Sequence, residues 1–384
     1  VFFRKESRGM MRPELNAQPP KTPDVRFMHW QEEDLARRLP PVMEERKSAG
    51  IEGLVGGLDA VIINTEPERL EPAVRELIGY TGFRINEHYI NSAFSTFVLG
   101  TSDSPDLLLR SRISGINPFI PFNQAGKTQA LPNTRLETFV FMIRDIEKYV
   151  DIQRDRGVRF MSDTVLDYPG YRFIQTYPSR FTGNSLGFIE WKGSGHRSYN
   201  AMSGNVPHTL TKPEYPHLSH IHGLDHTATR VRAAERNDAI IEFLSLTGYH
   251  FDFAVFVKSL NSITSVARLS RDDFAMVFTS GITPYRADAE SGPTEMFIHN
   301  YGTRVHHMAF RTEEIDTVFH ELKVHGMEFL VDLVGSPDEG LKQTFSSPSP
   351  HTLIVNEYIR RYEGFDGFFT RSNVEALTRA TGRQ

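Results

Sequence analysis

Gly57-Leu58-Asp59-Ala60 reappears 166 positions later as Gly223-Leu224-Asp225-His226, and this pair of tetrapeptides opens a long series of matches. Thr81-Gly82-Phe83 meets Thr247-Gly248-Tyr249 at the same offset. Farther on, Thr134-Arg135-Leu136 meets Thr303-Arg304-Val305, and Gly157-Val158-Arg159-Phe160 meets Gly326-Met327-Glu328-Phe329, both 169 apart. A run of matches in constant order, drifting by three residues, is the signature of a duplicated domain. The chain reads as residues 1–51, an N-terminal extension; 52–195, a first domain; 196–217, a linker; and 218–384, a second copy.

Each copy carries a smaller rhythm. In the second, Leu224–Val231 reads as a strand, and Ala233–Leu246 places Ala239, Ile240, Phe243 and Leu244 at helical spacing. Strands follow at Phe251–Val257, Ser262–Leu269 and Phe274–Thr279. The pattern restarts with a strand at Val305–Phe310, a helix at Ile315–His325, and strands at Phe329–Leu333 and Leu353–Ile359. This is βαβββ twice per copy. Such modules pack as a curled sheet around a cleft with helices outside, an α+β fold of two homologous domains, each an open β-barrel. Outside the repeat, residues 1–50 are polar and Pro-rich with a charged helical stretch (Glu32–Arg38 and Pro41–Lys47), residues 192–217 are rich in Gly, Ser, His and Pro, and Pro284–Thr294 reads as a loop.

The copies differ where chemistry can reside. Ala60 is replaced by His226 and Thr138 by His307, while Glu190 is kept as Glu357. The second copy therefore holds His, His and Glu where the first holds Ala, Thr and Glu. Alternate residues of a strand share a face, so Leu224, His226 and Ala228 are expected on one face. The same rule groups Val305, His307 and Ala309, and also Leu353, Val355, Glu357 and Ile359. Two imidazoles and a carboxylate are the facial triad of non-heme Fe(II) oxygenases, which leaves coordination positions open for substrate and dioxygen. In a chain with 15 His, any single one has an ordinary structural explanation. His217, His220, His222 and His306 are read that way, and a buried Glu357 could instead pair with an arginine. Equivalent positions in a duplicated module set the three apart.

At these residues the chain resembles the vicinal oxygen chelate superfamily (glyoxalases and extradiol dioxygenases), and within it the 4-hydroxyphenylpyruvate dioxygenase group. The resemblance spans most of 52–384 and rests on Gly223-Leu224-Asp225-His226, Val305-His306-His307-Met308-Ala309 and Glu357-Tyr358-Ile359-Arg360-Arg361. It implies a metal-free first domain, a catalytic second domain closed by a C-terminal helix near Asn373–Thr381, and His226, His307 and Glu357 as Fe(II) ligands. The implied reaction is oxidative decarboxylation and hydroxylation of a 2-oxo acid, in aromatic amino acid catabolism, with a homogentisate- or mandelate-type product. A homo-oligomer is also implied. Gln343 matches a substrate-orienting glutamine, Phe345 and Phe369 match phenylalanines near the ring or iron, and Ser265 (or Thr264) matches a pocket serine. The run Gly367-Phe368-Phe369-Thr370-Arg371-Ser372-Asn373-Val374 resembles the family's Gly-Gly-Phe-Gly-Lys-Gly-Asn-Phe. A family asparagine falls near Thr279 or Ser280, with Ser280 the substrate-contact candidate; a glutamine falls on Gly292 and a phenylalanine on Val374. These departures leave the iron chemistry better supported than a phenolic substrate.

Two other classes share the modules. Extradiol ring-cleaving dioxygenases of catechols carry Tyr-x-x-Asp-Pro before the ligand glutamate, where this chain has Ser346-Ser347-Pro348-Ser349-Pro350. A metal-free small-molecule binding protein has no use for all three ligands. Ala125-Gly126-Lys127-Thr128 imitates a phosphate loop but has Pro121 where glycine is required. Zero Cys removes thiol nucleophiles, disulfides and iron–sulfur ligation by thiolate. A net charge of −5 offers no general attraction for nucleic acid or an anionic membrane. The apolar runs are strand-sized, and Val1-Phe2-Phe3-Arg4-Lys5-Glu6 turns charged at once, so a cytoplasmic protein is expected, with Met10 or Met11 as alternative starts.

Overall fold

A computed structural model describes residues 23–193, 197–200 and 205–384. The opening hexapeptide, Met10 and Met11 lie outside these residues, as does part of the 196–217 linker. A helix, α1 (Pro23–Ser48), precedes two copies of one eight-stranded sheet. The first contains β1 (Val55–Thr65), α2 (Leu70–Tyr80), β2 (Arg84–Ile90), β3 (Phe94–Gly100) and β4 (Asp106–Arg112). It continues with β5 (Arg135–Ile143), α3 (Ile146–Asp155), β6 (Leu166–Asp167), β7 (Tyr171–Gln175) and β8 (Ser185–Trp191). The second contains β9 (Ile221–Arg230), α4 (Arg236–Leu246), β10 (His250–Val257), β11 (Ser262–Arg268) and β12 (Ala275–Ser280). Then come α5 (Asp288–Tyr301), β13 (Arg304–Thr312), α6 (Ile315–Val324), β14 (Val334–Ser336), β15 (Leu341–Phe345), β16 (Val355–Arg361) and α7 (Arg371–Ala380).

Strand orders are β2-β3-β4-β1-β5-β8-β7-β6 and β10-β11-β12-β9-β13-β16-β15-β14, so each sheet is two βαβββ modules joined back to back. Inside a module the first strand pairs parallel with the last, as β9 does with β12; the two first strands, β9 and β13, pair antiparallel. The helices form because apolar residues recur at helical spacing: α2 buries Leu70, Ala73, Val74, Leu77 and Ile78 on one stripe. This stripe covers the outer face of the first sheet, and the inner face is left to line the barrel.

The repeated motifs lie where the two domains meet, and they exchange contacts reciprocally. Arg135 donates to the Thr303 carbonyl at 2.9 Å, and Arg304 donates to the Thr134 carbonyl at 2.6 Å. Gly82 abuts the Ile221 carbonyl at the start of β9, and Gly248 abuts the Val55 carbonyl at the start of β1. A Cβ on Gly82 would stand 2.0 Å from that oxygen, and one on Gly248 2.6 Å from its counterpart. Both obstacles are backbone. Gly82→Ala is therefore expected to cost about 2 kcal/mol of unfolding free energy, and Gly248→Ala somewhat less. Urea denaturation checks this, with Gly53→Ala excluded as a control because its φ of 78° adds strain of its own.

Four expectations change. α1 begins at Pro23 and runs unbroken through Pro40-Pro41, longer than the charged stretch expected at Glu32–Arg38 and Pro41–Lys47. It is anchored on either side of the prolines, by Gln31 donating to the Ala233 carbonyl and Arg46 to the Tyr249 carbonyl. The segment read as a loop at Pro284–Thr294 enters α5 at Asp288 and is kinked at Gly292, whose φ is 74°. A Cβ there would lie 2.2 Å from the Leu260 carbonyl, so glycine is required. Phe329–Leu333 contributes only an isolated bridge from Phe329 to Ser346, and the strand role passes to β14 and β15. The inward Gln343 interrupts the apolar alternation of β15, which masks it in the sequence. Leu353 precedes β16 in a left-handed turn with φ 63°, so it does not share the Val355, Glu357 and Ile359 face.

Candidate metal centre

β9, β13 and β16 are neighbours in the second sheet, and from them His226, His307 and Glu357 project into the barrel, all buried. Their ligand atoms lie within 4.8 Å of one another. Glu357 Oε2 stands 3.1 Å from His226 Nε2 and 3.2 Å from His307 Nε2. Cis ligands each about 2.1 Å from one metal are about 3 Å apart, so these separations suit a shared ion. His226 Nε2 is buried and makes no hydrogen bond despite its nearness to the carboxylate.

Local backbone irregularities aim the histidines. The β9–β13 register skips at Asp225, between the pairs Ala309–His226 and Phe310–Leu224, and again at His306, between Val305–Thr229 and His307–Ala228. Each skip is a β-bulge. A bulge puts two successive side chains on one face, so Asp225 and His306 enter the barrel beside the ligands they precede. Leu224 and Val305 turn instead to the outer core with Phe310, while Ala228 and Ala309 stay inside. The expected shared faces for Leu224 and Val305 are thereby corrected.

The bulged residues set the tautomers. Asp225 Oδ2 accepts from His226 Nδ1 at 2.7 Å, and the carboxylate accepts from Arg361 through Oδ1 at 2.6 Å and Oδ2 at 3.1 Å. Burial would raise the Asp225 pKa, but Arg361 and His226 overcome it and hold the carboxyl well below its usual range. On the other strand, His306 Nε2 donates to Gln384 Oε1 at 2.9 Å, and its Nδ1 lies 2.8 Å from His307 Nδ1. Burial keeps His306 and His307 well below the usual imidazole pKa, hence neutral. With Gln384 taking the His306 proton at Nε2, the bond between the rings is His307 Nδ1–H to His306 Nδ1. Both ligand imidazoles thus present Nε2 to the centre, each held from behind. Without metal, burial opposes a charge on His226, yet Glu357 and Asp225 push its pKa up to about 9. A dication would take the place of that proton.

Gln343 is buried in the same cavity. Its amide donates to Glu357 Oε1 at 2.5 Å, and its oxygen accepts from Asn373 on α7 at 3.0 Å. One carboxylate oxygen is so tethered to the C-terminal helix, leaving Oε2 to face the two Nε2 atoms. Phe345 and Phe369 wall the site, with ring centroids 4.7 Å from His307 and 5.2 Å from His226 respectively. The cavity is also lined by Ser262, Thr264, Thr279, Thr294, Val374 and Arg230.

Two candidates are not brought there. Ser265 and Ser280 alternate with the inward Val266, Val277 and Thr279, and face out of the barrel; Ser280 Oγ donates to the Gly281 carbonyl. Thr264 and Thr279, one residue earlier on each strand, take the inward places. Asp225, His306, Asn373 and Arg230 escaped sequence reading. Arg230 carried a usable signal, since it follows His226 and Ala228 at alternate positions. Arg361, the last residue of the Glu357-Tyr358-Ile359-Arg360-Arg361 motif, is the partner of Asp225.

The first barrel has the same bulges at Asp59 and Glu137 but different chemistry. Ala60 and Thr138 occupy the histidine positions, but the expected match of Glu190 with Glu357 fails: Gly187 faces Val140 as Glu357 faces Ala309, and Glu190 lies on the outer face with Leu186 and Phe188, paired with Arg172 at 3.4 Å. Tyr89, Tyr199 and Trp191 fill the interior, with Trp191 and Tyr199 donating to Asp59. A second ligand-type group, His217, Glu321 and His325, lies outside the second barrel on α6 and the segment before β9. There Glu321 and His325 are part-exposed, so solvent reaches it.

No protein-family model and no curated protein sequence matches the chain. Solved structures do. A mutant of 4-hydroxymandelate synthase from Streptomyces coelicolor superposes with a TM-score of 0.61 at 16% identity, covering 86% of this chain and 99% of that one. A xylose isomerase-like TIM barrel/4-hydroxyphenylpyruvate dioxygenase fusion protein gives 0.58 at 13%, over 85% of this chain and 53% of that longer one. The Mn(II)-bound glyoxalase from Novosphingobium aromaticivorans gives 0.47 at 11%, covering 81% and 83%. The chain has the two-domain vicinal oxygen chelate fold. No helix among the described residues is long and apolar enough to cross a membrane.

Proposed function

We propose that this chain is an Fe(II)-dependent dioxygenase of the 4-hydroxyphenylpyruvate dioxygenase type, converting a 2-oxo acid and dioxygen to a hydroxylated acid and carbon dioxide. The observation that supports this reading best is the convergence of His226, His307 and Glu357 inside one curled sheet, from three different strands. Fe(II) bound there would supply a site that chelates the 2-oxo acid and activates dioxygen. In the overall reaction one oxygen atom enters the new carboxylate and the other the new hydroxyl. Both electron pairs come from the substrate, so no external reductant is needed.

The chain's own residues do the rest. Asp225 and His306 hold the imidazoles in the ligand tautomer, and Gln343 fixes one oxygen of Glu357. Phe345, Phe369 and α7 exclude water from the reacting end. The homogentisate- or mandelate-type outcome depends on which carbon the pocket presents. The same reading includes a cytoplasmic homo-oligomer with a metal-free first domain.

The test is oxygen uptake and carbon dioxide release by Fe(II)-loaded protein, prepared without air, against aromatic and aliphatic 2-oxo acids and catechols, with His226→Ala as control. Equal consumption and release with a 2-oxo acid, absent in the variant, is expected. Oxygen use with catechols alone would move the assignment to ring cleavage. Silence with every compound would end the enzyme reading.

A further inference from the structure

Arg230 lines the same cavity as the candidate ligands and is fully buried, yet no carboxylate forms an ion pair with it among the described residues. Two of its donors are committed: Nη1 to the Pro293 carbonyl at 3.2 Å and Nη2 to Thr381 Oγ1 at 2.8 Å. Its guanidinium lies over the Phe297 ring, 4.5 Å from the centroid. The acid nearest in effect, Glu295, is already used. It accepts from the backbone N–H groups of Ala233, Gly281 and Tyr285. Burial pushes the Arg230 pKa down to about 9, partly offset by Glu295, which marks an incompletely compensated charge. Arg135 and Arg304 are also buried without an acid, but carbonyl oxygens across the domain junction hold them, and neither lines the cavity.

Charge counting gives the consequence. A divalent metal with Glu357 carries +1, and Arg230 adds another. A substrate with a single carboxylate leaves one positive charge in a buried cavity, where unpaired charge is costly. Arg230 follows His226 by four positions along β9, both facing inward, so it sits farther up the barrel from the metal end. Around it stand the hydroxyls of Ser262, Thr264, Thr279, Thr294 and Thr381, and Thr279 Oγ1 is buried with no partner. This end of the cavity is built for a polar group, and Phe345 and Phe369 make the other end apolar.

We propose that Arg230 binds a second anionic group at the far end of the substrate, which makes the substrate a 2-oxo acid with a remote carboxylate or similar acid. The inference rests on the functional reading above and narrows it from 2-oxo acids in general to dianionic ones. Arg230 is a specificity residue in this scheme, and its bond to Thr381 links the bound anion to the C-terminal closure.

The experiment is calorimetric binding, without dioxygen, of matched pairs to Fe(II)-loaded protein: 2-oxopentanoate against 2-oxoglutarate, and phenylpyruvate against 4-carboxyphenylpyruvate. A charge-assisted bond predicts roughly 10- to 100-fold tighter binding of at least one dianion than of its monoanionic partner. Arg230→Gln should abolish that preference while keeping monoanion affinity, and Arg230→Lys should restore part of it. Equal affinity within both pairs, or an equal loss for both members in Arg230→Gln, overturns the inference and leaves Arg230 as a latch for Thr381. If Arg230→Gln does not fold, the matched-pair comparison in the unaltered protein still decides. Failure of every 2-oxo acid to bind would instead overturn the functional reading itself.

Discussion

Glu357→Gln, His226→Ala and His307→Ala are each expected to lower divalent-metal affinity by at least ~100-fold, since disturbing even the partners of ligands costs ~10–100-fold. Glu357→Gln is the sharpest of the three. It keeps the shape of the side chain and the contact to Gln343, but it removes the carboxylate that faces both Nε2 atoms. Two neutral imidazoles then face a dication with no anionic ligand among the protein groups. The measurement is bound Fe(II) per chain after anaerobic desalting, with thermal melting as a second reading. Metal should raise the melting temperature of the unaltered protein by mass action and leave the three variants where they were. The group at His217, Glu321 and His325 requires its own control, because its ligand atoms also lie within 4.8 Å of one another. His217→Ala should leave the tightly bound equivalent in place. If instead it removes that equivalent, and Glu357→Gln does not, the barrel site is not the metal centre.

The duplication made most of the fold readable, because a match between two stretches of one chain reports shared structure without any outside comparison. It also exposed the candidate ligands: His226 and His307 stand out only against Ala60 and Thr138. The repeated Thr-Arg and Thr-Gly pairs had a physical cause invisible in the sequence, namely their reciprocal grip across the domain junction. What escaped reading was backbone irregularity. Strict alternation places Leu224 with His226, and one extra residue at Asp225 reverses everything before it. The same parity rule, applied from Val266 and Val277, would have preferred Thr264 and Thr279 to Ser265 and Ser280. Those serines came from family likeness, which tolerates a shift of one position that a strand does not.

Asp225→Asn is expected to weaken metal binding by ~10–100-fold without removing any ligand. The bulge at Asp225 turns its carboxylate toward His226 instead of away from it, and that carboxylate is shared between His226 Nδ1 and the Arg361 guanidinium. Asparagine can present one oxygen to the imidazole, but the neutral amide draws less electron density onto Nε2 and pairs poorly with Arg361. The variant should also lose about 2 kcal/mol of stability, below the full cost of breaking a buried pair because the Arg361 side chain keeps 24% exposure. The ion pair holds above the ordinary carboxyl range and is lost as pH falls through the depressed Asp225 pKa. The difference between the parent and Asp225→Asn should accordingly persist across neutral pH and shrink only in strong acid. Parallel metal titrations and urea denaturation of both proteins at neutral and acid pH test the argument. Unchanged metal affinity with lowered stability would show that Asp225 serves the bulge and Arg361 alone, and that the orientation of His226 comes from Phe368 and Phe369, whose rings pack 5.5 and 5.2 Å from it.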